Sequence, residues 1–214
     1  MIPRPSLLVI TDRHRAGRPL PELADALFAA GVRWLSLRDK DLEEGERLAL
    51  ARTLVARGRR HGAVVTLHGA PETALAAGAA GVHLADGGDP RHARAILGPR
   101  ALVGVSAHDA AGLAAAAAGG ADYATLSPVF PTASKPGYGP ALGPEGLRAA
   151  VAGLRLPVLA LGGIGPAQAA AAMAAGAAGV AVMGLAMAGP DPAAAVAALL
   201  AVSGPGRPGP GQKV

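Results

Sequence analysis

The sequence predicts a single (β/α)₈ barrel, and three observations predict it. A recurring unit, Ala-rich helix, then Gly, then a short β-branched run, appears four times: AAGVRWLSLRDK (29–40), AAGAAGVHLAD (76–86), AGGADYATLSP (118–128) and AAGAAGVAVMG (174–184). Each reads as a helix stopped at Gly and followed by a buried strand. Four further strand candidates fall between these units, SLLVITD (6–12), AVVTLH (63–68), ALVGVSAH (101–108) and PVLALGGI (157–164). The spacing leaves room for a helix after every strand, at about 20–28, 42–61, 71–78, 90–97, 109–118, 143–154, 166–175 and 191–202. Eight strands alternating with eight helices in 214 residues fit one closed barrel. An open doubly wound sheet would make that regular count accidental. The barrel is assigned to residues 1–203. The Pro/Gly-rich tail GPGRPGPGQKV, 204–214, is expected to be disordered.

Composition narrows the function classes. The chain has no Cys, which removes disulfides, thiol catalysis and thiolate metal sites and fits a cytoplasmic protein. Its N-terminus, MIPRPSLLVITD, lacks the long apolar run and cleavage site of a signal peptide. Residues 167–189 are uncharged over a length that could span a bilayer, but Ala and Gly insert weakly, and Gly176 and Gly179 mark a helix stop and a strand. No membrane span is expected. The net charge is +5. Phe28, Trp34, Tyr123, Phe130 and Tyr138 form no stacking stripe, so nucleic acid is not the expected partner. Arg52, Arg57, Arg59 and Arg60 read as a solvated helix end that suits the helix dipole.

A barrel binds its ligands at the C-terminal ends of its strands, so the polar residues there are the candidates. In SLRDK, period-two spacing puts Ser36, Arg38 and Lys40 on one face. Two cations converging on the barrel mouth call for an anion, unless neighbouring carboxylates at Asp39, Asp41 or Glu43 absorb them. LGGIG (161–165) and VMGLAMAG (182–189) follow strands 7 and 8, where barrels often hold phosphate. There Gly162, Gly163 and Gly184 let backbone N–H groups approach an anion. The loop PTASKPGYG after strand 6 offers Thr132 and Ser134 as hydroxyl donors to phosphate and Lys135 for a second anion. Ser106 and His108 follow strand 5, and Asp86 and Asp89 follow strand 4. His68 ends strand 3 beside the cations, where acid–base work is open to it, whereas His83 reads as a packed, hydrogen-bonded residue.

The landmarks LLVITD, SLRDK, GAAGVHL, GVSAH, ADYATLSPVFPTASK, PVLALGGI and AGAAGVAVMG, in this order from about residue 6 to 200, resemble the superfamily of thiamin-phosphate synthase and the thiazole tautomerase TenI. The resemblance implies a barrel acting on phosphorylated thiazole and pyrimidine substrates. For a synthase, it implies joining hydroxymethylpyrimidine pyrophosphate to thiazole phosphate with release of pyrophosphate. By that resemblance Arg38, Lys40 and Lys135 hold the pyrophosphate, with Ser106 nearby. Thr132, Ser134, the Gly162–Gly163 loop and the loop at Gly184 then hold the thiazole phosphate.

The chain departs from the synthase pattern at three places. His68-Gly69 stands where the synthase has Asn-Asp, Ser36 where it usually has Gln, and Gly88 where a second metal-binding Asp is expected. A synthase implies Mg²⁺, with Asp86 or Asp89 taking over by a shift of the loop. A tautomerase needs no metal, but its catalytic histidine is expected where this chain has Pro128. Synthase is the first expectation, a metal-independent tautomerase the alternative, and a non-catalytic thiazole-phosphate binder the third. A homo-oligomer is left open.

Overall fold

The computed structural model describes residues 1–132 and 140–203. Eight parallel strands close into a barrel in sequence order: β1 (Leu7–Ile10), β2 (Trp34–Leu37), β3 (Val64–His68), β4 (Gly81–Leu84), β5 (Leu102–Ala107), β6 (Tyr123–Leu126), β7 (Val158–Leu161) and β8 (Gly179–Val182). The outer layer is α1 (Leu20–Ala29), α2 (Glu44–Arg60), α3 (Pro71–Ala76), α4 (Pro90–Leu97), α5 (Ala110–Ala118), α6 (Gly143–Val151), α7 (Pro166–Ala174), α8 (Gly184–Met187) and α9 (Pro192–Ser203). The expected (β/α)₈ barrel is the observed one. The tail expected to be disordered, 204–214, lies outside the described residues. Among the described residues no helix is long and apolar enough to cross a membrane.

Local chemistry explains the helix starts. Pro21, Pro71, Pro90, Pro144 and Pro166 each occupy a first turn, where a missing N–H costs nothing and the fixed φ suits the helix. Asp89 caps α4 by accepting from the Arg91 N–H at 2.9 Å, and Asp109 caps α5 through the Gly112 N–H at 2.8 Å. The inward faces follow helical spacing: Leu20, Leu23, Ala24, Leu27 and Phe28 on α1, and Ala51, Leu54, Val55 and Gly58 on α2. The arginines at the end of α2 serve the fold: Arg57 pairs with Asp25, and Arg59 donates to the Gly78 carbonyl.

Period two divides the strand residues between two cores. Leu7, Val9, Leu35, Leu37, Val65 and Leu67 face the helices, whereas Leu8, Ile10, Trp34, Tyr123, Leu159 and Ala181 fill the barrel interior. Trp34 meets Tyr123 edge-on, with ring centroids 4.6 Å apart. The polar atoms at this depth are paired: Thr66 Oγ1 accepts from Trp34 Nε1 at 3.3 Å and donates to Ser36 Oγ at 3.0 Å. This layer is the solid floor on which the site rests.

Candidate active site at the barrel mouth

Above that floor, a cavity of about 570 Å³ opens at the C-terminal ends of the strands. Its wall brings together Arg38, Lys40, His68, Asp86, Ser106, Thr132, Gly162, Gly163 and Gly184. Ser36 and Asp89, also singled out from the sequence, are not brought to it. Ser36 shares the face of Arg38, but a strand rises about 3.3 Å per residue, which sets Ser36 a layer deeper, fully buried against Thr66. Asp89 spends its carboxylate on the cap of α4. Ser134 and Lys135 fall within 133–139, outside the described residues. Sequence reasoning passes over Asp12 and Arg15, which line the cavity from the loop after β1, and leaves His108 without a role. The signal for the first two is their place just beyond a strand end, the same signal that marks the polar residues after β2 to β6. His108 lines the cavity with its Nδ1 2.6 Å from the Ser127 carbonyl.

The carboxylates beside SLRDK do not absorb its cations. Asp39 accepts from the Thr11 hydroxyl at 2.6 Å and from the Arg13 backbone N–H at 2.7 Å. Asp41 takes Arg13 Nη1 at 2.5 Å and His14 Nε2 at 2.8 Å, and the Arg13 guanidinium holds its carboxyl well below the usual range. Thr11 Oγ1 also accepts from the Arg38 N–H at 2.9 Å, which fixes the end of β2 through its backbone. Among the described residues, the side chains of Arg38 and Lys40 therefore face the cavity with no carboxylate partner.

On the β3–β6 side, His83 organises the wall. Its Nδ1 lies 2.9 Å from the Tyr123 hydroxyl, and its Nε2 lies 3.0 Å from Ser106 Oγ and 3.3 Å from Thr125 Oγ1. It thus orients Ser106 at the cavity wall. His68 stacks on His83 with centroids 4.5 Å apart, and its buried Nε2 has no hydrogen-bond partner among the described residues. Burial holds both imidazoles neutral. The His83 pKa is pushed down to about 3, first by desolvation and then by Lys40. For His68 the shift is also downward, from desolvation, then from His83, Arg38, Lys40 and Arg47.

This burial couples stability to pH. A histidine in the unfolded chain titrates near 6.5, so below that pH the unfolded state takes up protons that the folded state refuses. The stabilisation is complete above about pH 6.5 and is lost as pH falls toward about 3 for His83. The slope is at most about 1.4 kcal/mol per pH unit for each histidine. Urea unfolding at pH 7.5, 6 and 5 should show this decline, and His83→Gln should make it shallower. An equal slope in the variant would mean that His83 takes its proton inside the fold.

A family model described as thiamine monophosphate synthase matches residues 7–185, the barrel from β1 into α8. The chain belongs to the thiamine monophosphate synthase family. A protein of Geobacter sulfurreducens named "Putative thiamine-phosphate synthase" is 46% identical over 159 residues, covering 73% of this chain and 75% of that protein. A thiamine-phosphate synthase of Mycolicibacterium paratuberculosis is 43% identical over 141 residues, covering 61% of this chain and 63% of that relative, less than two thirds of its length. Among solved structures, thiamine phosphate pyrophosphorylase from Pyrococcus furiosus superposes with a TM-score of 0.83 at 30% identity, over 92% of this chain and 95% of its own.

Within this family the resemblance implies Mg²⁺ near the ends of β3 and β4, and the donor set can be tested against that. Mg²⁺ takes oxygen ligands, with carboxylates supplementing substrate phosphates. Here the β3 end carries Gly69, the β4 loop carries Gly88, Asp89 is committed to its cap, and Asp86 is left alone on that side of the wall. No group of three or more His, Asp or Glu side chains is placed to hold a metal among the described residues. Residues 133–139, ASKPGYG, add no carboxylate. The residues present do not fit a resident Mg²⁺.

Proposed function

We propose that this barrel joins hydroxymethylpyrimidine pyrophosphate to thiazole phosphate and releases pyrophosphate, acting in the cytoplasm. One observation carries the reading. One cavity holds, on the β2 side, two cations with no carboxylate partner among the described residues, and also the glycine turns after β7 and β8. That arrangement suits two separate anionic groups in one space. In the reaction, the bond between the pyrimidine methylene carbon and the pyrophosphate oxygen breaks, and its electron pair leaves with the pyrophosphate. The thiazole nitrogen then donates its lone pair to that carbon, forming the C–N bond and leaving the ring positively charged. Arg38 and Lys40 would face the charge that grows on the departing oxygen, the largest lever such a site has. Ser106, held by His83, would donate to the same group, while Gly162, Gly163, Gly184 and Thr132 would hold the thiazole phosphate. Lys135 and Ser134 are proposed to share these two roles.

The test is pyrophosphate release and thiamin phosphate formation by the purified chain supplied with both substrates. Formation of both products is expected. Conversion of a thiazole carboxylate phosphate, with no pyrophosphate released, would replace this reading with the tautomerase. Binding of thiazole phosphate without either conversion would leave a non-catalytic binder.

A further inference from the structure

Gly69 follows β3 with φ +105°, and a Cβ built on it would lie 3.2 Å from Arg47 Nη2 and 3.6 Å from Nη1. The guanidinium of Arg47 therefore occupies the space that a side chain at position 69 would enter. Arg47 comes from the first turn of α2, and its Nη2 donates to the His68 carbonyl. Among the described residues its Nε is buried without a hydrogen-bond partner, as is Nε2 of His68 beside it. Arg38 and Lys40 line the cavity together with His68, and Arg47 holds the His68 carbonyl from behind, so the three cations gather near the end of β3. Apart from Asp86 on the cavity wall, the carboxylates of this region are committed. Asp39 serves Thr11 and Arg13, Asp41 serves Arg13 and His14, Asp12 lies 3.4 Å from Arg15, and Asp89 caps α4. Fixed positive charge thus dominates where the carboxylates of a metal site would stand.

We infer that Arg38, Lys40 and Arg47 form a fixed-cation site for the pyrophosphate group, so that this chain binds and releases pyrophosphate without a divalent metal. The inference rests on the synthase reading and names how that same site neutralises its leaving group. Arg38 and Lys40 touch the anion from the cavity wall. Arg47 stands behind His68 and acts as a positioning residue, through its charge and through its hold on the His68 carbonyl. Fixed cations need no reorganisation as charge develops, and a guanidinium cannot lose its charge at neutral pH.

The experiment is calorimetric titration of inorganic pyrophosphate into the purified chain, residues 1–214, in EDTA and then in Mg²⁺. Turnover is assayed with both substrates in the same two buffers. Binding in EDTA is expected, with Mg²⁺ changing the affinity by less than about threefold. Arg47→Ala should weaken binding about tenfold (~1.4 kcal/mol). Arg47→Lys should restore most of it, a rescue that a purely structural role for the planar group would not give. Circular dichroism of both variants separates loss of binding from loss of fold. Pyrophosphate binding that requires Mg²⁺ would overturn the inference, and product formed only with Mg²⁺ would overturn it while leaving the synthase reading intact. Pyrophosphate bound in EDTA, with no thiamin phosphate in either buffer, would support the cation site and overturn the synthase reading. An Arg47→Ala variant that binds like the parent would remove Arg47 from the site.

Discussion

Replacing Arg38 with Ala should lower the rate of pyrophosphate release by about 10²–10³-fold, the usual effect of removing one group aimed at developing charge. The loss should fall mainly on kcat, because the departing pyrophosphate carries more charge in the transition state than in the bound substrate. The fold should be nearly unaffected. The end of β2 is held by its backbone, through the Arg38 N–H to Thr11 Oγ1 at 2.9 Å, and among the described residues the Arg38 side chain has no carboxylate to leave behind. Steady-state kinetics beside a melting curve checks both halves. A loss of less than about threefold in kcat/KM would mean that the anion does not sit on the β2 side of the cavity.

Replacing Gly163 with Ala should abolish measurable thiazole phosphate binding and lower stability by about 2–4 kcal/mol. Two costs combine at this position. The backbone has φ +63°, which an L side chain rarely adopts, and a Cβ would collide with the Pro131 carbonyl oxygen and lie 2.9 Å from Phe130 Cβ. The β6 and β7 loops are packed against each other here: the Val129 N–H donates to the Leu161 carbonyl at 2.9 Å, and the Phe130 N–H to that of Gly162 at 3.1 Å. A methyl group would therefore separate loops that meet in the cavity wall. Gly87 is the control. It too has positive φ, at +73°, but a Cβ there meets nothing within 4 Å, so Gly87→Ala should cost only the backbone strain. If Gly163→Ala destabilises the protein yet binds thiazole phosphate normally, the phosphate is held elsewhere.

These residues differ in how far the sequence alone could reach them. Strand ends were readable because a buried parallel strand stops where its β-branched run stops, and the residues at and just beyond that end lie near the mouth. That logic located Arg38, Lys40, His68, Ser106 and the glycine turns. It failed for Ser36, because period two reports the face of a strand and not the depth along it. It also failed for Asp89, whose position before Pro90 is equally the signature of a helix cap. Arg47 was out of reach altogether. It sits on a helix, and only the path of the β3 end, with a glycine too small to exclude it, brings its guanidinium there. The four-residue α8 was missed because GLAM spans barely one 3.6-residue turn, too short for a hydrophobic repeat to show.

The packed layer of Trp34, Tyr123, Thr66 and Ser36 beneath the cavity makes the barrel a blind well rather than a tunnel. With a closed bottom, arrivals and departures share one opening. In a well of that shape, a group bound deeper enters before, and leaves after, one bound above it. The order of events at such a site is thus a property of its plumbing as much as of its affinities.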